Sequence, residues 1–221
     1  MEGFSFQTKE YICTKTEEEL GIGEKRVKWK ECCSKSFLRS VFLFLAEERE
    51  EGTVLASPLS LLLEISAFLL IRCFDLEARV EERKKNAMAL ILPCGTKERI
   101  LSETEWLREG ACNRCAAIGV RGAFLSCATV MDPMKGYHAA FSLREEREER
   151  ELASLLDLCG LTMKRGLQKG KRILYLKDSS QIEDLLSLVG AERFAMRMMD
   201  CKIEKSIRGN INRRQNLTVQ I

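Results

Sequence analysis

The chain has 221 residues, of which 45% are hydrophobic, 31% charged and 7% aromatic, with 14 Gly and 3 Pro. That composition fills a core, excludes a collagen-like or wholly disordered chain, and argues for a helix-rich α+β protein over an all-β sandwich. The net charge of +3 hides a bias: residues 160–221 hold 13 Lys and Arg against 6 Asp and Glu, a local charge of +7, which leaves −4 for the rest.

The N-terminus carries Glu2, Lys9 and Glu10 and no apolar h-region, so a secretory signal is excluded and a cytoplasmic chain is expected. Residues 14–30, with Glu17, Glu18, Glu19 and glycines at 21 and 23, read as a loop or frayed arm. Apolar residues at spacings of three and four (Phe37, Leu38, Val41, Phe42, Leu45) predict a buried helix from Cys32 to Glu50, stopping at Gly52. Residues 53–56 form a short strand candidate. The run 58–74 is apolar throughout and reads as a strand at 61–65 followed by a short helix. Its core, 59–71, contains Glu64 and is shorter than the roughly 20 residues that cross a bilayer, so no membrane partner is expected. Residues 76–83 and 87–92 predict a hairpin, and 100–107 a short helix.

The pattern then restarts. Residues 115–126 predict a second buried helix, 131–136 a turn and 137–143 a strand. Residues 145–158 form an amphipathic helix whose Arg/Glu run is read as a solvated face, with Gly160 as its C-terminal cap. A further hairpin spans 162–165 and 172–177. A helix follows over 179–188, capped by Ser179 or Ser180, and a long helix from Arg193 to about Arg213 ends the reading.

The ten cysteines are read in a reducing compartment, most of them as small core hydrophobes. Cys112 and Cys115 have the spacing of a zinc knuckle, and Cys32 with Cys33 could complete a site. A second pair with ligand spacing is missing, however, and the one histidine, His138, is distant from both in sequence, so no metal or cofactor is expected. His138 has no nucleophile beside it and is read as a structural or surface imidazole.

An internal repeat at an offset of 82 matches Cys33 to Cys115, Leu38 to Val120, Arg39 to Arg121, Ser40 to Gly122, Val41 to Ala123, Phe42 to Phe124 and Leu43 to Leu125. It predicts two tandem α/β halves, 1–110 and 111–221. Their equivalent helices meet at a pseudo-twofold axis through the small residues Ser40, Gly122 and Ala123.

The stretch from Val120 to His138, and above all Asp132-Pro-Met-Lys-Gly-Tyr-His138, resembles the second-repeat helix and turn of the WhiA family of bacterial transcription regulators. The likeness continues through 175–182, 188–191 and 207–213, and Lys30-Glu-Cys-Cys33 with Phe37-Leu-Arg39 is similar to the start of the family's first repeat. The resemblance implies tandem LAGLIDADG homing-endonuclease-like repeats with paired central helices. It also implies a nucleoid-associated regulator of cell division, chromosome segregation or sporulation rather than a nuclease. Nucleases of that kind need a carboxylate at the foot of each paired helix to hold a divalent metal. The corresponding positions here are Leu45 and Cys127, and Glu47 and Asp132 lie out of phase. The family's C-terminal helix-turn-helix domain has no counterpart before the chain stops at Ile221, so a truncated form is expected.

The expected partner is double-stranded DNA, held mainly through phosphates. The candidate cations are Lys164, Arg165, Lys169, Lys171, Arg172 and Lys177 on the last hairpin, with Lys202, Lys205, Arg208 and Arg213 on the final helix. Strand alternation puts Lys171 and Ile173 on one side and Arg172 with Leu174 on the other. Two other readings use the same architecture: a protein-interaction module without direct DNA binding, and a metal-dependent DNA endonuclease.

Overall fold

The computed structural model describes residues 3–22, 29–83, 87–109 and 112–218, with residues 87, 108, 109 and 210–218 described by backbone alone. After an initial helix α1 (Phe4–Leu20), the chain runs α2 (Glu31–Leu45), β1 (Glu47–Arg49), β2 (Gly52–Ser57), α3 (Ser60–Phe74), β3 (Arg79–Arg83), β4 (Ala87–Leu92) and α4 (Thr96–Glu103), with a 3₁₀ turn at Glu105–Glu109. The same order then repeats as α5 (Cys115–Cys127), β5 (Ala128–Val130), β6 (Ala139–Leu143), α6 (Glu146–Leu158), β7 (Lys164–Gln168), β8 (Lys171–Leu176) and α7 (Ser179–Leu188), and α8 (Glu192–Thr218) closes the chain. Both halves build a four-stranded antiparallel sheet of the same order, β1-β2-β4-β3 and β5-β6-β8-β7.

The paired helices predicted from the repeat are α2 and α5. They approach closely because their facing side chains are small. A Cβ on Gly122 would lie 2.8 Å from the Phe37 carbonyl oxygen and 3.1 Å from Ser40 Cβ, and one on Gly119 would lie 3.0 Å from Ser36 Oγ. Ser36 Oγ donates to the Cys115 carbonyl at 2.8 Å across the same seam. One apolar cluster runs through both halves, with Phe37, Phe42, Phe124 and Phe141 fully buried.

The matched arginines of the repeat do equivalent work. Buried Arg39 donates to the Leu101 carbonyl and to Glu151, both at 2.6 Å. Buried Arg121 donates to Glu19 at 2.8 Å and weakly to Thr16 Oγ1 at 3.4 Å. Each guanidinium carries a paired charge into a helix-packed interior, where desolvation demands a partner.

Several expectations are corrected. Residues 14–20 belong to α1: Thr8 and Thr16 turn their hydroxyls onto the carbonyls of Phe4 and Ile12, so polar residues are buried at little cost, and left-handed Gly21 ends the helix. The helix predicted to Glu50 ends at Leu45, and Glu47–Arg49 pairs with β2 as an edge strand. At Gly52 the φ of 127° and a would-be Cβ 2.1 Å from the Leu92 carbonyl oxygen require glycine inside the sheet rather than at a helix stop. Residues 60–74 form one helix, not a strand and a helix. The N-cap of α7 is Asp178, whose carboxylate accepts from Gln181 N at 3.1 Å. The charged run on α6 is partly buried: Glu148 and Glu149 are sequestered and paired with Arg144 and with Arg165 and Arg172. The predicted turn at 84–86 lies outside the described residues.

Candidate nucleic-acid interface

The second sheet has a helix-covered face and an open one, and its register assigns each side chain. Phe141, Leu174 and Arg165 share one rung, and Leu143, Arg172 and Leu167 another. These rungs face the core, which holds Phe141, Leu143 and Leu174. Thr129, Ala140, Tyr175 and Lys164 form a rung of the opposite face, which continues through Ser142, Ile173 and Gly166 to Lys171 and Gln168.

The open face is basic and aromatic. The Tyr175 ring lies across Gly166, where a Cβ would come within 3.0 Å of it. His138 stacks on Tyr175 at 6.0 Å and 14° between planes, and the Lys177 ammonium sits 5.3 Å from the same ring. Lys164 and Lys171 on this face, and Lys169 in the two-residue turn with Gly170, pair with no carboxylate among the described residues. Lys169 and Gly170 have φ of 51° and 77°, the left-handed pair that matches the twist of a tight hairpin.

The structure therefore divides the predicted cations. Lys164, Lys169, Lys171 and Lys177 are available to a polyanion. Arg165 and Arg172 are on the covered side, where both reach Glu149, at 3.3 and 3.1 Å. The alternation read from the sequence separates Lys171 from Arg172 as observed. On α8, Lys202 donates to Ser180 at 2.9 Å, Lys205 donates to the Pro133 carbonyl at 2.6 Å over the Tyr137 ring, and Arg208 pairs with Glu204 on its own helix. The side chain of Arg213 lies outside the described residues.

The first sheet contrasts with this. Its corresponding face bears Glu47, Arg49, Arg79, Glu81 and Arg83 around Val54, Ala89 and Ile91. These charges neutralise one another: Arg49 pairs with Glu47 and Arg79 with Glu81, both at 2.8 Å, and Arg83 with Glu51 and Glu81. Among the described residues of the two sheets, free positive charge is concentrated on the second.

The feet of the paired helices carry cations where a metal-dependent nuclease would carry carboxylates. Leu45 and Cys127 are the last residues of α2 and α5. The equivalent carbonyls of Leu43 and Leu125 accept from the Arg144 guanidinium and the Lys9 ammonium, each at 3.0 Å, and the Lys97 ammonium donates to the Ala46 carbonyl at 3.0 Å. Positive groups satisfy the free carbonyls and the negative end of each helix dipole. Burial lowers the pKa of Lys9, partly offset by the Cys127 and Cys13 thiols, and burial followed by the neighbouring Arg144 lowers that of Lys97. Glu47 is held by Arg49 and Arg144, and Asp132 accepts from Met134 N at 3.0 Å to lock its own turn.

At the opposite end of the same helices, the sulfurs of Cys32, Cys33, Cys112 and Cys115 all lie within 4.8 Å of one another. The spacing of Cys112 and Cys115 offers no second pair along the chain, but the helix pairing brings adjacent Cys32 and Cys33 to them. Burial and a hydrogen bond with Cys112 push the Cys33 thiol up to about 12, and burial likewise raises Cys115. At Cys112 burial opposes ionisation, but hydrogen bonds from the Arg114 amide and the neighbouring thiols outweigh it and bring the pKa to about 6. No helix among the described residues is long and apolar enough to cross a membrane.

Comparison with known proteins identifies the architecture. Residues 117–208 match the family model of the WhiA LAGLIDADG-like domain. The chain is 34% identical over 105 residues to the probable cell division protein WhiA of Clostridium botulinum, an alignment covering 48% of this chain and 33% of that protein. It is 36% identical over 113 residues to the Heliobacterium modesticaldum counterpart, covering 51% and 34%. The alignments thus span about one third of these relatives. Among solved structures, full-length DUF199/WhiA from Thermotoga maritima superposes with a TM-score of 0.68 at 16% identity, covering 99% of this chain and 74% of that one. I-DmoI in complex with DNA and Mn superposes with a TM-score of 0.53 at 10% identity, covering 73% and 98%. The tandem LAGLIDADG-like fold with paired central helices, which the resemblance implied, is borne out.

Proposed function

We propose, from the premise that the chain carries a WhiA LAGLIDADG-like domain over residues 117–208, that it is a non-nucleolytic scaffold that holds double-stranded DNA for a WhiA-type regulator. That regulator acts on cell division, chromosome segregation or sporulation genes in the bacterial nucleoid. The halves 1–110 and 111–221 are its two units. The observation that carries this reading is the open face of the second sheet, where Lys164 stands opposite Tyr175, Lys177 sits over the Tyr175 ring on which His138 stacks, and Lys171 lies farther along the same face, with no acid among the described residues to neutralise them. Lysines of this kind contact phosphates and place the duplex, while specific base readout is left to other elements.

The helix feet support the non-nucleolytic part. Lys9, Lys97 and Arg144 occupy the helix ends, where in-line phosphoryl transfer needs carboxylates to hold Mg²⁺. A second reading, docking of a protein partner, is favoured by the exposed apolar stripe Met196, Met199, Ile203 and Ile207 along α8.

The test is a titration of the chain on random and promoter duplexes at several salt concentrations. DNA holding predicts a dissociation constant on the order of 10⁻⁴ to 10⁻⁶ M at physiological salt, similar on both duplexes, and a steep fall of log K with log salt. Absence of binding at low salt overturns it in favour of protein docking.

A further inference from the structure

We propose that Cys32, Cys33, Cys112 and Cys115 form a four-thiolate site for one zinc ion, which staples the two halves together at the N-terminal ends of the paired helices. The site lies at the far end of the helices from their feet, about 22 Å away for a helix the length of α2.

The spacing of the sulfurs is that of a mononuclear site. Zinc with four thiolates is tetrahedral with Zn–S near 2.3 Å, which sets sulfur-to-sulfur edges of about 3.8 Å. Cys33 and Cys112 stand 3.6 Å apart, Cys112 and Cys115 3.4 Å, and no pair exceeds 4.8 Å. These separations are too long for a disulfide bond, near 2.05 Å, and too short for the spread of a polynuclear iron–sulfur cluster. Soft thiolates without oxygen ligands select zinc over calcium or magnesium.

The surroundings suit a dianionic tetrathiolate centre. Cys32 and Cys33 are in the first turn of α2, and Cys115 opens α5, so the positive ends of both helix dipoles lie at the sulfurs. The Arg114 amide donates to Cys112 sulfur within the Cys-x-x-Cys loop. Cys33 and Cys115 are equivalent in the repeat, and Cys32 and Cys112 complete the set at the same end of the helix pair. Two ligands come from each half, across about 80 residues of chain. Simple core packing of cysteines explains isolated buried thiols such as Cys13. It does not explain four sulfurs converging at one point, two of them on partly exposed residues.

The test uses the full chain, purified under reducing conditions, with metal content measured by elemental mass spectrometry and metal exchange followed by cobalt absorption. The expected result is roughly one zinc per chain, with cobalt giving the visible bands of a tetrahedral site and sulfur-to-metal charge transfer. Cys112→Ser should lose most of the metal, whereas Cys159→Ser, outside the cluster, should retain it. A strong chelator should lower the Tm of wild type and leave Cys112→Ser unmoved. Wild-type chain that takes up neither zinc nor cobalt after full reduction overturns the proposal. So does metal retained undiminished when all four cysteines are replaced by serine, or a disulfide among the four in protein isolated under reducing conditions. The wild-type metal measurement stands even where a variant fails to fold, and it is independent of DNA binding.

Discussion

Gly122→Ala tests the helix pairing on which the fold is built. In an exposed helix this change would stabilise by about 1 kcal/mol, because alanine restricts the unfolded chain and favours the helix. At the α2–α5 crossing the added methyl meets the Phe37 carbonyl oxygen at 2.8 Å and Ser40 Cβ at 3.1 Å, both fixed to backbone. The helices must part, and overpacking of this kind costs about 1–3 kcal/mol. With a cost near the upper end of that range, because both contacts are rigid, the net loss is up to about 2 kcal/mol, which for a chain of this size is a fall in Tm of up to roughly 8 °C. Gly119→Ala is the control, since its nearest neighbours are the ends of the Ser36, Leu155 and Ser40 side chains, which can turn aside. Thermal denaturation followed by circular dichroism should rank wild type and Gly119→Ala above Gly122→Ala. A Gly122→Ala chain as stable as wild type would mean that the helices do not meet as described.

Arg39→Ala should destabilise by about 3 kcal/mol in urea titrations, because Glu151 and the Leu101 carbonyl lose a buried cation, whereas Arg49→Ala on exposed β1 should cost less than about 0.5 kcal/mol. Supercoiled plasmid should stay intact with Mg²⁺ or Mn²⁺, and nicking abolished by substitution at Glu47 or Asp132 would refute the assignment of the helix feet. Buried Cys13 has its pKa pushed up from 9.0 to about 12 by burial against the attraction of Lys9, so its stabilising contribution is present below pH 9 and lost as pH rises from 9 toward 12. At pH 10 the loss is on the order of 1 kcal/mol, and Cys13→Ala should flatten that part of the stability–pH curve; an unchanged slope would refute it.

What the sequence made legible follows from periodicity. Alternation along residues 171–176 separates Lys171 from Arg172, and the repeated apolar helices with Ser40 and Gly122 at their seam announce the pairing. What it hid depends on tertiary partners. The helix α1 carries Thr8 and Thr16 inward, which reads as polar until their hydroxyls are seen bonded to backbone carbonyls. The three residues of β1 are too few to show alternation. The uniformly apolar 60–74 has no period to distinguish a strand from a helix. The Arg/Glu run of α6 reads as solvated because nothing local marks Glu149 as the partner of Arg165 and Arg172. The four-cysteine cluster joins residues some 80 apart in the chain, and only the helix crossing brings adjacent Cys32 and Cys33 to Cys112 and Cys115.

The central claim, that DNA lies on the open face of the second sheet, is tested most directly by comparing Lys164→Ala/Lys171→Ala/Lys177→Ala with Arg165→Ala/Arg172→Ala in duplex-binding titrations across a salt series. Both variants remove cations from the same hairpin, but from opposite faces. The account predicts that the lysine variant binds more weakly to every sequence, with a slope of log K against log salt shallower by about 0.9 for each phosphate that is no longer neutralised. The arginine variant should keep the wild-type slope. Equal slopes for wild type and the lysine variant, or a weakening confined to the arginine variant, would contradict it.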